Sequence, residues 1–163
     1  MISAGARSFS GVLGDKMKAR ERFEHTRRCV KRLNEVKLLI MYDCDDWKPQ
    51  DIRIKHQVSD PTANRAAYNV DELGDKLEAL RKEEQELLEF IGVSLAVIGA
   101  VKLGFGEVYA TVLEARYIDC WKWAQIREEY GIPKSTGHYL LDIAFDWVDS
   151  VGVSRLLNGD VEV

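Results

Sequence analysis

Cysteine, proline and histidine are all scarce in this chain: three of each in 163 residues. Cys29, Cys44 and Cys120 are odd in number, widely separated and outside any paired-cysteine motif, and His25, His56 and His138 show no ligand spacing. Neither a disulfide framework nor a zinc site is therefore predicted, and the thiols read as reduced ones in a cytoplasmic protein. Asp43, Asp45 and Asp46 form an acidic cluster, but the glycine and distal glutamate of a calcium loop do not follow. No glycine-rich phosphate loop and no Ser-His-Asp arrangement stands out, so the chain is expected to be neither an enzyme nor a cofactor carrier. Residues 1–14, rich in Ser, Gly and Ala, read as a flexible leader without the apolar stretch of a secretory signal. The apolar run from Phe90 to Leu103 is interrupted by Gly92, Ser94 and Gly99 and falls short of the roughly 20 residues of a membrane span. It is expected to be a buried helix end, with no membrane partner.

What the chain does hold is helical periodicity. With 46% hydrophobic residues there is enough apolar material for one or two modest helical domains, and the expected class is all-α. A first long helix is predicted from about Asp15 to Tyr42, where Phe23, Val30, Leu33 and Ile40 alternate at seven- and three-residue steps and Met17, Val36 and Leu39 broaden the stripe. A second is predicted from about Val70 to Leu103 on Leu73, Leu77, Leu80, Leu87, Ile91 and Ile98, with Glu84 interrupting the seam. Asn69 and Glu72 would form its capping box. Together they make a long, coiled-coil-like helical hairpin over 15–103, or an oligomeric coiled coil, and a homo-oligomer is expected. The connection at about 43–68 is long for an irregular loop. Trp47, Ile52, Ile54 and Val58 are apolar enough to dock it against the hairpin, and the alternation in DIRIKHQV hints at a short extended piece. Asp60-Pro61 marks a turn. The other reading of this connection is a functional loop that contacts polymerase or DNA.

The stretch from Trp121 to Val148 carries a different rhythm. Trp123, Ile126 and Tyr130 line one face of a short helix, Gly131 stops it in a left-handed conformation, and Ile132 returns to the core. Pro133 at the first helical position, with Ser135 and Thr136 hydroxyls nearby to satisfy free amides, restarts the chain as a helix whose inward stripe is Leu140, Ile143 or Ala144, and Trp147. Val112, Leu113, Arg116 and Tyr117 supply a preceding helix. Residues 104–152 are thus predicted to form a helix-turn-helix domain hinged at Gly104-Phe105-Gly106, and 153–163 a tail. A second helix after such a turn suits a DNA major groove about 12 Å wide.

VLEARYIDCWKWAQIREEYGIPKST resembles the pattern of sigma-factor region 4-like domains, and SDPTANRAAYNVDEL followed by a long charged helix resembles the organisation of phage late transcription regulators of the ArpU/RinA type. The resemblance covers about Ser59 to Gly152. It implies a phage or prophage regulator that binds double-stranded promoter DNA, with RNA polymerase as a further candidate partner. Lys134, Ser135, Thr136, His138 and Tyr139 would then stand at the groove-facing start of the recognition helix and Lys122 near a phosphate, while Trp123, Ile126, Ile132 and Leu140 are core. Arg127 and Gly137 depart from the family pattern, and the Arg127 stem is expected to lie over the space left at Gly137.

Charge complicates that picture. The net charge is -4, and the presumed recognition helix carries Asp142, Asp146 and Asp149 against Lys134 as its only cation. The segment up to Tyr42 is basic, with Arg7, Lys16, Lys18, Arg20, Arg22, Arg27, Arg28, Lys31, Arg32 and Lys37. Pairing of this segment with the acidic helix that begins near Asp71, within or between chains, is favoured over a bed of phosphates. Two further classes stay open: a protein-interaction module whose acidic helix binds a basic surface on RNA polymerase or another protein, and a phage packaging or structural component.

Overall fold

The computed structural model describes residues 17–45 and 61–159, with side chains at 17–42 and 72–159. Every regular element among them is helical: α1 (Ala19–Asp45), α2 (Pro61–Phe105), α3 (Glu107–Leu113), a π-helical turn (Glu114–Ile118), α4 (Trp123–Tyr130), α5 (Lys134–Val151) and α6 (Val153–Asn158).

The long helices are longer than the periodicity suggested. α2 begins at Pro61, not near Val70, because proline at the first helical position sacrifices no hydrogen bond and the alanines that follow favour the helix. Asn69 and Glu72 consequently lie inside α2, and no capping box starts there. The connection expected at 43–68 is helical at both ends, and the docking and extended-strand expectations for Trp47, Ile52, Ile54 and Val58 fall outside the described residues, as does the 1–14 leader. The side chains of the acidic cluster at 43–46 also lie outside them.

Two compact units emerge, and their boundary differs from the expected division at 103/104. One comprises the described residues up to Lys31 together with those from Glu89 onward; the other is Arg32–Leu88. The physical reason is a shared core. Ala19 and Phe23 of α1 and Val97, Ile98 and Val101 of α2 belong to the same buried cluster as Val112, Leu113, Tyr117, Leu141, Ala144, Phe145 and Val148. The Phe23 ring lies 5.5 Å from that of Tyr117 and 5.7 Å from that of Phe145. These ends of α1 and α2 are walls of the C-terminal core. The expected tail at 153–163 is helical at its start, since Val153 and Leu156 of α6 are buried in this cluster.

Polar groups enter the first unit in pairs. Thr26 Oγ1 and Ser94 Oγ, both fully buried, are 2.7 Å apart, and the Thr26 hydroxyl is also 2.9 Å from the Arg22 carbonyl oxygen. The buried Arg22 guanidinium lies 5.5 Å from the Phe90 ring centroid, and His25 meets that ring edge-on at 4.7 Å. Burial pushes the Cys29 thiol up from its ordinary pKa, against the opposing pull of Arg28. In the second unit Leu33, Val36 and Leu80 are buried, while Leu39, expected in the stripe, is exposed. There Arg32 grips Glu83 with two bonds, 2.7 and 3.2 Å, and holds its carboxyl below the usual carboxylate range.

The apolar part of α2 is long and apolar enough, by composition, to cross a membrane, with mean hydropathy 1.9 in its best window. Ile91, Ser94, Val97, Ile98 and Val101 within it are nonetheless buried in the protein.

Candidate nucleic-acid interface

The chain reaches α4 through a wide turn. Over the π-helical turn the Trp121 N–H donates to the Ala115 carbonyl at 2.9 Å, and Arg116 Nη1 donates to the Trp121 carbonyl at 2.8 Å. Cys120 there holds φ +58°, a left-handed conformation that costs roughly 1–2 kcal/mol outside glycine. α4 opens at Lys122, whose N–H donates to Gln125 Oε1 at 2.9 Å while the Gln125 N–H donates to the Lys122 carbonyl at 3.0 Å. It closes at Gly131, φ +66°, whose N–H donates to the Arg127 carbonyl at 3.0 Å. That is the left-handed glycine the sequence predicted.

α5 starts one place later than expected. Pro133 is the residue before its first turn, with φ -62° and ψ 151°, and its carbonyl accepts the Gly137 N–H at 2.8 Å. No side chain caps this end, so the Ser135 and Thr136 hydroxyls do not serve the amides as expected. The inward stripe is also displaced, running through Gly137, Leu141, Ala144, Phe145 and Val148, with Leu140 and Trp147 half-buried beside it. Trp147 packs edge-on to Phe105 at 5.2 Å. Tyr130 is exposed and stacks on Trp121 at 5.8 Å.

Gly137 is the contact that sets α4 on α5. A Cβ there would stand 2.2 Å from Cζ3 and 2.8 Å from Cη2 of Trp123. The indole thus occupies the space that the sequence assigned to the Arg127 stem, and Arg127 is exposed. The Arg116 guanidinium lies over the indole, 5.3 Å from its centroid, and His138 lies against it at 4.7 Å. Of the residues expected to be core, Ile126 is fully buried, and Trp123, Ile132 and Leu140 are half-buried against the cluster.

All six expected contact residues are on the surface: Lys122 at the head of α4, and Lys134, Ser135, Thr136, His138 and Tyr139 on the opening turns of α5. The contact of Trp123 with His138 sets the head of α4 beside the head of α5. Tyr139 is 66% exposed, so its ring and hydroxyl face solvent. Two of the troublesome carboxylates further along α5 are engaged by α1. Asp142 is ion-paired with Arg20, whose guanidinium also sits 5.4 Å from the Phe145 ring, and Asp149 Oδ1 accepts the Ala19 N–H at 2.7 Å. Asp146 stays exposed.

The surrounding charge is mixed. Lys122, Arg127 and Lys134 are exposed on these elements, and Arg27 reaches the loop before Lys122 through the Cys120 carbonyl at 3.5 Å. Asp119, Glu128 and Glu129 are exposed on the same elements. The surface is neither an unbroken positive strip nor an unbroken negative face. Sequence reasoning missed the roles of Arg20, Arg116 and Asp149; a glycine inside a helix, at 137, was the one visible signal of the Trp123 contact.

Comparison with family models, with curated proteins and with solved structures returns no match for this chain. Among the described residues no three His, Cys, Asp or Glu side chains converge in a way that would hold a metal ion.

Proposed function

We propose that this chain binds double-stranded DNA with the opening turns of α5 in the major groove, as a helix-turn-helix transcription regulator of the phage type its sequence resembles. One observation carries the reading: Lys134, Ser135, Thr136, His138 and Tyr139 at the head of α5 are exposed, while Asp142 and Asp149 each engage α1. The uncapped amides of α5 suit a phosphate, and Ser135, Thr136, His138 and Tyr139 offer donors and acceptors to base edges or backbone. With Lys122, Arg127 and Lys134 as the exposed cations, the logarithm of affinity should fall with the logarithm of salt concentration at a slope of roughly -3 per copy.

Selection of binding sites from a random duplex pool, followed by fluorescence anisotropy at several salt concentrations, tests this. Lys134→Ala is expected to weaken all duplexes alike and to reduce the salt slope by about 1. Tyr139→Ala should alter base preference with the fold unchanged, because its side chain is 66% exposed, and His138→Ala should alter base preference at some cost in stability through its contact with Trp123. Absence of any sequence preference at low salt defeats the proposal.

The exposed Glu128 and Glu129 favour a second reading, docking on a basic protein surface such as that of RNA polymerase. Replacing both with lysine separates the two readings by sign: DNA affinity rises, whereas affinity for a basic protein falls.

A further inference from the structure

We infer that Arg27 of α1 and Arg116 of the π-helical turn form a phosphate-binding site, and that its ligand is a backbone phosphate of the same duplex that receives the head of α5. The inference rests on the DNA reading above and brings α1 into the contact. The two guanidinium groups grip neighbouring peptide units: Arg27 Nη2 donates to the Cys120 carbonyl at 3.5 Å and Arg116 Nη1 to the Trp121 carbonyl at 2.8 Å. The next residue is Lys122, the exposed cation at the head of α4. Three positive charges from three elements thus meet around one short loop. Neither arginine has a carboxylate partner among the described residues, although other cations of α1 do: Arg20 pairs with Asp142 and Arg32 with Glu83. Arg27 is held loosely. Its Nε is shielded from solvent and donates to nothing among the described residues, and its bond to Cys120 exceeds the usual 2.7–3.2 Å. A guanidinium carries five N–H donors, so each group has several left for the oxygens of a phosphate. Both side chains are half-buried, where a charge attracts an arriving anion more strongly than it would in open water.

The carboxylates beside the loop are Glu24, one turn before Arg27, and Asp119, both exposed. Burial and then Glu24 push up the ionisation of the Tyr117 hydroxyl while Arg116, Arg20 and Arg27 oppose them, so these four charges converge on one point. With Arg20 committed to Asp142, cations still outnumber carboxylates: Arg27, Arg116 and Lys122 against Glu24 and Asp119. Contacts run without a break from this site to α5. The Arg116 guanidinium lies 5.3 Å from the Trp123 ring centroid, and that ring lies 4.7 Å from the His138 ring. Arg116 is therefore at most about 10 Å from the His138 imidazole, and Lys134 stands one turn before His138 on the same face of α5. A major groove about 12 Å wide puts its phosphate rim within that reach of a side chain inserted into it.

The test uses the full chain and the duplex it selects. Arg27 and Arg116, added to Lys122, Arg127 and Lys134, should steepen the salt slope from roughly -3 to roughly -4 to -5. Arg27→Gln should weaken binding to every duplex at least about tenfold and reduce the slope by about 1, with base preference unchanged. Glu24→Gln, which removes a neighbouring negative charge, should tighten binding. Arg155→Gln, exposed on α6 beyond the far end of α5, should change neither affinity nor slope. Methylphosphonate substitution, which removes the charge of one phosphate at a time, should find a position whose neutralisation weakens the wild type but not Arg27→Gln. Sequence-selective binding with a slope no steeper than about -3, with no phosphate coupled to Arg27, or with Arg155→Gln as damaging as Arg27→Gln, would each overturn the site and leave the α5 reading standing. Glu24→Gln keeps Arg27 in place, so unchanged or weaker affinity in that variant counts against the site even if Arg27→Gln unfolds. Absence of binding to any duplex removes both proposals together.

Discussion

Alanine at position 137 should destabilise the protein through its collision with Trp123. The added Cβ would lie 2.2, 2.8 and 3.2 Å from Cζ3, Cη2 and Cε3 of the indole, all inside van der Waals contact. The ring cannot retreat freely, because the Arg116 guanidinium lies 5.3 Å from its centroid and His138 packs against it at 4.7 Å. With a contact at 2.2 Å the overpacking falls in the upper part of its usual range, about 2–3 kcal/mol, and replacing a helical glycine by alanine returns about 1 kcal/mol. The net loss is about 1–2 kcal/mol, a fall in Tm of roughly 2–8 °C for a chain of this length. Trp123→Ala alone should cost about 2 kcal/mol, less than a fully buried tryptophan, because the side chain is half-buried. In the Trp123→Ala background Gly137→Ala should become stabilising by about 1 kcal/mol, since only helix propensity remains. Urea denaturation followed by circular dichroism on the four proteins gives the coupling directly. Wild-type stability in Gly137→Ala, or additivity of the two changes to within about 0.5 kcal/mol, refutes the wedge.

Removing either hydroxyl of the buried Thr26–Ser94 pair should cost about 1–3 kcal/mol, and Thr26→Val combined with Ser94→Ala should cost less than the sum of the two, measured by the same denaturation assay. Asp149→Ala should cost about 1 kcal/mol through loss of the cap on the Ala19 N–H, and protection of the first amides of α1 from hydrogen exchange should fall with it. The Tyr117 hydroxyl is pushed up to about 12, first by burial and then by the Glu24 carboxylate. Its unfolded form ionises near about 10, so the unfolded state loses its proton first. Stability that is intact below about pH 10 should therefore decline as pH rises toward about 12, by a few kcal/mol at most. Tyr117→Phe should flatten that decline, and an equal decline in the variant would show that other groups cause it.

Much of the local structure was legible because it depends on neighbours in the chain. Gly131 stops α4 in a left-handed turn whatever surrounds it, and the polar opening of α5 is exposed as its composition requires. Where expectations failed, a distant residue had intervened. The inward stripe of α5 runs through Gly137, Leu141 and Phe145 because Trp123 and Phe23 lie there, and neither contact has a signature in the sequence of α5. Pro61 was read as a turn, although proline is equally at home at the head of a helix.

The amino-acid order alone determined the all-α class and the exposure of Lys134, Ser135, Thr136, His138 and Tyr139, because helix periodicity, caps and breakers act over a few residues. Only the tertiary structure decided how the chain divides, by drawing the first turns of α1 and the last turns of α2 into the C-terminal core. It also decided the fate of the α5 carboxylates, since Arg20 and the Ala19 amide lie more than a hundred residues from Asp142 and Asp149 and are brought to them by the packing of α1 on the C-terminal core. Charge pairing over such separations is a consequence of packing, and no local pattern encodes it.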